Sequence, residues 1–138
     1  MEKLKRGDMY FVDLNPVVGS EQGEKRPAIV VQNDIGNKHS PTVVIVPLTC
    51  NLEKKPLPTH VFIPQSCGLE SESLALVEQI RTVDRSRLKE YIGRIKRKQQ
   101  AELDKALIVC VGLDMSFLTQ TTHKNRQRKG GIYEQHIY

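Results

Sequence analysis

Thr42-Val-Val-Ile-Val-Pro-Leu-Thr-Cys50 and, just upstream, Ala28-Ile-Val-Val-Gln-Asn-Asp34 set the architecture. Both are short runs of mostly β-branched residues, bounded by the Gly, Asn, Pro and Ser that punctuate chains at turns. Branching at Cβ restricts χ1 and suits a pleated surface better than a helix. Because the runs are unbroken rather than alternating, they predict two largely buried strands. Upstream, Asp8-Met-Tyr-Phe-Val-Asp-Leu14 places Tyr10, Val12 and Leu14 on one face and Met9, Phe11 and Asp13 on the other, the period of a first strand. Downstream, Thr59-His-Val-Phe-Ile-Pro64 predicts a fourth.

Further along, the apolar run in residues 73–79 predicts another strand, which residues 80–83 continue. Asp84 is placed to cap a short helix over residues 85–90, its carboxylate accepting from unpaired backbone N–H groups. Gly93 is expected to end that turn, with a brief strand over 94–96. From 98 to 113, Leu103, Ala106, Leu107, Cys110 and Leu113 recur at three- and four-residue steps, the stripe of an amphipathic helix. Strands outnumber helices, so the reading is a compact antiparallel barrel with one long helix packed on it. Residues 114–138 lose the pattern and are expected to be a flexible, polar, basic tail.

A chain of 138 residues with 38% apolar and 27% charged side chains is long and apolar enough to bury a core. No apolar stretch approaches a membrane span, and the N-terminus lacks a signal-peptide core, so the expected location is the cytoplasm with no membrane partner. Cys50, Cys67 and Cys110 are scattered, which suits reduced packed thiols rather than disulfides or zinc ligands. The net charge of +5 favours polyanionic partners, and the tail's four Lys/Arg against two Asp/Glu supply less than half of it. With four Tyr, three Phe and no Trp, a nucleic acid would be held more by phosphate and base-edge contacts than by stacking.

The segment Asn15-Pro-Val-Val-Gly-Ser-Glu-Gln-Gly-Glu-Lys-Arg-Pro27 is long for a hairpin loop. It combines backbone-permissive glycines with many donors and acceptors, as a binding loop or a merely exposed polar loop would. No phosphate-binding Gly-x-x-x-x-Gly-Lys-Ser/Thr, zinc-binding His-Glu-x-x-His or nucleophile Gly-x-Ser-x-Gly occurs. His39, His60, His123 and His136 are scattered, and two lie in the expected tail, which disfavours a two-histidine acid–base pair.

Arg6-Gly-Asp8 before the first strand, Gly19-Ser-Glu-Gln22, and Arg26-Pro27 four residues on closely resemble the opening motif of the MazF/PemK ribonuclease toxins. Gln32-Asn-Asp-Ile-Gly-Asn37, Ser40-Pro-Thr42, Pro47-Leu-Thr49, Leu57-Pro-Thr-His60 and Glu78-Gln-Ile-Arg-Thr82 follow in that family's order and spacing. The resemblance covers about residues 5–113 and is greatest to Gram-positive-type members. It implies a toxin-like domain over residues 1–113, with an α+β, SH3-like (CcdB/PemK-type) antiparallel barrel and a C-terminal helix. It further implies the toxin of a toxin–antitoxin pair, a symmetric homodimer and a MazE-like antitoxin partner, with DNA met only through the antitoxin complex.

The activity implied is sequence-specific cleavage of single-stranded RNA without metal or other cofactor. In that chemistry the ribose 2′-hydroxyl attacks the adjacent phosphorus, leaving a cyclic phosphate and a free 5′-hydroxyl. Negative charge gathers on the non-bridging oxygens, so a fixed guanidinium and a hydroxyl donor lower the barrier. By resemblance Arg26 and Thr49 are that catalytic pair, both expected in exposed loops whose substitution leaves the fold intact. Glu21 matches an acidic position that takes the proton or orients Arg26, while Lys25 stands where some members have His. Gly19, Ser20, Gln22, Asn33, Leu57 and Gln79 are implied RNA contacts, although Asn33 and Gln79 equally suit hydrogen bonding within the fold. Arg81 is expected to pair with Asp84 or Glu78 at a dimer interface, or to touch phosphate.

Two rivals share the barrel: a CcdB-like, non-enzymatic toxin that binds DNA gyrase, and an RNA-binding barrel without catalysis. The Arg26 and Thr49 pair with the Gly-Ser-Glu-Gln loop favours the nuclease, because a gyrase poison needs no phosphate site.

Overall fold

A computed structural model of the chain describes residues 3–16, 18–21, 24–53 and 57–116. In order, it holds β1 (Asp8–Asp13), β2 (Lys25–Val30), α1 (Asp34–His39), β3 (Thr42–Thr49), β4 (His60–Ile63), β5 (Ser73–Leu76), β6 (Arg81–Asp84), β7 (Leu88–Arg94) and α2 (Arg97–Val111). Single 3-10 turns fall at Gln65–Cys67, Val77–Gln79 and Arg85–Arg87. The seven described strands form one antiparallel α+β arrangement with α2 at its C-terminal end, in the order β4-β5-β3-β2-β1-β7, and β6 pairs with β3.

The unbroken apolar runs are explained by burial on both faces. Along β1 to β3, alternate residues serve opposite cores. Met9, Ile29, Val46 and Leu48 join a core that is closed by Leu103 and Ala106 of α2. Tyr10, Val12, Ala28, Val30, Val43 and Ile45 join the other with Leu14, Val83 and Leu88.

Several boundaries differ from the sequence reading, each for a local reason. The second strand begins at Lys25 and stops at Val30 rather than running from 28 to 34; its early start comes from β1, which pairs its first five residues, from Asp13 opposite Lys25 to Met9 opposite Ile29. The expected strand end at 33–34 instead opens α1. Asn33 caps that helix, its side-chain oxygen accepting from Gly36 N–H at 2.9 Å, while Lys38 and His39 sit in the last turn where the dipole favours cations.

Residues 73–83 are not one continuous strand. Leu48 faces Ala75 and Ile45 faces Arg81, so three steps back on β3 match six forward on this segment. The 3-10 turn at Val77–Gln79 absorbs the three extra residues.

Asp84 does cap the next turn, accepting from Ser86 N–H at 2.9 Å, but the turn ends at Arg87 and residues 88–94 are strand. Pairing with β1 overrides local preference there, and Tyr91 meets Tyr10 edge to face with ring centroids 5.4 Å apart. Helix α2 ends at Gly112, whose φ of +67° is the left-handed cap conformation; Leu113 lies past it and is exposed. The flexible-tail expectation covers residues 114–138, of which 117–138 lie outside the described residues.

Gly93 sits inside β7 rather than ending a turn, and its missing side chain matters. A Cβ there would lie 2.3 Å from the Cys67 carbonyl oxygen, a backbone atom that cannot swing away. Gly93→Ala is therefore expected to cost about 3 kcal/mol, the upper part of the overpacking range. That would lower the melting temperature by about 10 °C in a thermal scan, and an unchanged melt would show that this contact relaxes freely.

Candidate active site

The core on the Val12, Ala28 and Ile45 face runs out toward the ends of β2 and β3, where polar side chains replace apolar ones. Ala28 faces Pro47 in the last pair of that ladder, and Arg26 and Thr49 lie two residues beyond it on their strands, on the Ala28 and Pro47 face. Arg26 also faces Val12 of β1, which fixes the side of the sheet it occupies.

Both residues differ from expectation in one respect: they belong to strands, not loops. Arg26 is half-buried and Thr49 is 5% exposed. The Thr49 hydroxyl accepts from Asn51 N–H at 3.2 Å, which leaves its own proton to donate.

Beside Pro47, a cavity of about 240 Å³ is lined by Glu21, Glu78, Gln79, Ile80 and Arg81 together with Pro47 itself. Pro47 lies on the same face of β3 as Thr49, and the cavity beside it brings together the first loop and the Val77–Gln79 turn; Arg26 and Thr49 do not line it. A larger cleft of about 470 Å³ is bordered by Arg26 but otherwise collects Phe11, Lys25, Leu48, Cys50 and Tyr91. Thr49, Glu21 and Gln79 do not line it.

The first loop is closed at its base by Leu14 N–H to Glu24 O and Glu24 N–H to Asn15 Oδ1, each 3.0 Å. Gly19 has a φ of +58°, which favours glycine there. Glu21 directs one carboxylate oxygen at the Val18 N–H, 2.6 Å away, while its own N–H reaches Val18 O at 3.3 Å. Ser20 is exposed, and Gln22 lies outside the described residues.

Other expected residues are dispersed. Asn33 caps α1 at the far end of β2, about 20 Å along the chain from Arg26 at strand rise. Leu57 is 44% exposed at the start of β4's approach. Lys25 pairs with Glu90 at 2.9 Å and lies over the Phe11 ring, turned from the face Arg26 occupies, so it does not replace the histidine of other members. Within the chain Arg81 forms no ion pair with Asp84 or Glu78, and its guanidinium donates to Leu14 O at 3.1 Å.

Sequence reasoning missed a network around His60, set aside as scattered. Its Nε2 meets Glu78 Oε2 at 3.0 Å, Thr59 Oγ1 donates to Glu78 Oε1 at 2.9 Å, and Leu57 N–H reaches His60 Nδ1 at 3.3 Å. An N–H pointed at Nδ1 requires that nitrogen to accept, so the ring proton sits on Nε2 and is donated to Glu78. The adjacency of Leu57-Pro-Thr-His60 and Glu78-Gln79 among the family motifs was the available signal.

Burial pushes the Glu78 carboxyl up, but hydrogen bonds from His60, its own backbone and Thr59 outweigh it and hold the group below the usual range. A carboxyl lowered by folding adds stability above its unfolded value, and loses that contribution as the pH falls through the lowered one. The stability gap between the natural chain and Glu78→Gln should therefore be full at pH 7 and close below about pH 4.5. Urea midpoints across that range would test this, and a gap independent of pH would contradict it.

The chain matches the PemK-like, MazF-like toxin family of type II toxin–antitoxin systems over residues 5–111. It is 48% identical over 111 residues to the endoribonuclease EndoA of Bacillus subtilis (strain 168), covering 80% of this chain and 96% of that protein. Among solved structures, MazF of Deinococcus radiodurans superposes with a TM-score of 0.70 at 25% identity, over 80% of this chain and 97% of that one. A mycobacterial endoribonuclease in complex with its cognate antitoxin gives 0.67 at 26% identity, over 80% and 97%. Matched across its strands, its helix α2 and the segments that carry Arg26 and Thr49, the chain belongs to the PemK/MazF family of type II toxins.

Proposed function

We infer that this chain is the toxin of a type II toxin–antitoxin pair and acts as an endoribonuclease on single-stranded RNA, mRNA in the cell. The observation that carries the reading is that Arg26 and Thr49 lie on one face of neighbouring strands, two residues beyond the Ala28–Pro47 pair, with Pro47 bordering a cavity that Glu21 and Gln79 also line. Family membership and the names of the relatives support the activity and an antitoxin partner. The gyrase-binding alternative is not favoured, since it gives this polar cluster no task.

The reaction needs no protein nucleophile. The 2′-oxygen attacks phosphorus as its proton leaves to a base, the P–O5′ bond breaks, and O5′ takes a proton to become the free hydroxyl. Arg26 places fixed positive charge beside the non-bridging oxygens, and the Thr49 hydroxyl donates to one of them. Arginine is a poor base near neutrality, so its role is electrostatic. Glu21 receives the proton, directly or through water, or orients Arg26. Its second oxygen is the one for that work, since the first holds the loop.

Ser20, Gln22 and Gly19 from the first loop, Leu57, and Gln79 at the cavity are the RNA contacts in this reading. Asn33 is given to the α1 cap instead. We place the active form as a homodimer in the cytoplasm, where mRNA is met. No helix among the described residues is long and apolar enough to cross a membrane.

The test is to incubate the purified protein with a long RNA in EDTA, then map the cuts and their ends. Cleavage should persist, and the 5′ ends should accept phosphate from a kinase without prior dephosphorylation. Strict magnesium dependence would contradict the mechanism, and inhibition of gyrase with intact RNA would support the rival.

A further inference from the structure

Residues 13–15 are where β1 turns into the loop that carries Glu21. A strand entering a loop leaves backbone carbonyls without ladder partners. Here three successive carbonyls are taken by two arginines from one neighbouring segment. Arg87 Nη1 donates to Asp13 O at 3.0 Å and also to Asn15 O, and Arg81 Nη1 donates to the Leu14 O between them at 3.1 Å. Neither guanidinium forms a carboxylate ion pair among the described residues. The Leu14 side chain is fully buried, so the loop base is held by its side chain and by its carbonyls.

The holding segment is itself registered to the catalytic strand: β6 pairs along β3 from Thr42 opposite Asp84 to Ile45 opposite Arg81. The loop bearing Glu21 and the strand ending in Thr49 are thus tied through the same short stretch of chain. Asp84 caps the Arg85–Arg87 turn and so aims Arg87.

We propose that Arg87 is a positioning residue for the reaction, which by clamping the Asp13 and Asn15 carbonyls beside Arg81 sets the loop so that Glu21 meets Arg26 and Thr49. This rests on the site proposed above. Arg85 provides a control in the same turn, since its guanidinium holds the Asn37 and Ser40 carbonyls at the end of α1, away from the loop.

The test measures kcat and KM on an oligoribonucleotide carrying a mapped cut site. Misplacing a catalytic group by about 1 Å can cost up to about 100-fold, so Arg87→Gln should lower kcat by about 10- to 50-fold with KM changed less than about 3-fold. Arg87→Lys, still a donor of two bonds, should recover most of the loss, and Arg85→Gln should stay within about 2-fold. If Arg87 acts through Glu21, then in a Glu21→Gln background Arg87→Gln should add less than about 3-fold.

Natural kcat in Arg87→Gln, an equal loss in Arg85→Gln, an inert Glu21→Gln, or losses that multiply across the cycle would each overturn the clamp. If Arg87→Gln does not fold, Arg81→Gln, which frees the Leu14 carbonyl held between the other two, is read in the two Glu21 backgrounds by the same criterion. Full activity in Arg26→Ala would sink the site itself, a failure distinct from any of these.

Discussion

Replacing Arg26 with alanine is expected to slow RNA cleavage by about 100- to 1,000-fold, the usual loss when one preorganised donor to a developing oxyanion is removed. The guanidinium matters more than a charge alone. Its planar fork can meet two oxygens of one phosphate, whereas an ammonium offers a point charge, so Arg26→Lys should fall between the two. Stability should hardly change. The residue is half-buried at the second position of β2, and its truncation opens no hole in either core. Single-turnover cleavage with a parallel thermal melt separates the effects; a folded, fully active Arg26→Ala would remove the basis of the mechanism. Growth arrest on expression should vanish with the activity.

Thr49→Val is expected to lose about 100-fold in kcat, since valine keeps the shape and removes the hydroxyl. Thr49→Ser should retain most of the rate. Unlike Arg26, this residue is buried, at 5% exposure, and its oxygen accepts the Asn51 N–H. The valine variant should therefore also lose about 1 kcal/mol of stability, visible in a denaturant midpoint. Equal kcat in the natural, serine and valine forms would show that the hydroxyl does not touch the transition state. Combined with Arg26→Ala, the loss should be much less than the product of the two, as for groups serving one phosphate together.

What the sequence made legible follows from how the two cores are built. Residues 28–30 and 42–49 are clamped on both faces, so selection for burial writes an unbroken apolar run that any reading finds. The start of β2 and most of β7 escaped notice because Lys25, Arg26, Glu90 and Arg94 are polar residues at positions whose strand character comes from pairing with β1. Helix α1 is short, contains Gly36, and is held more by its cap than by propensity.

Within the site, motif spacing placed Arg26 and Thr49, but that they share one face of neighbouring strands is a property of register, which composition does not encode. The link from His60 to Glu78 spans eighteen residues and depends on the slip at Val77–Gln79, and the arginine clamps depend on carbonyls that carry no sequence mark.

The wall shared by the two cores has a consequence for the lifetime of the toxin. Because adjacent residues of β2 and β3 are gripped from opposite sides, the peptides of 28–30 and 43–48 can reach solvent only when both cores part. Opening there is then as rare as complete unfolding. A protease sampling local fluctuations would find little to cut in that stretch, so an antitoxin that is itself short-lived would leave behind a durable partner.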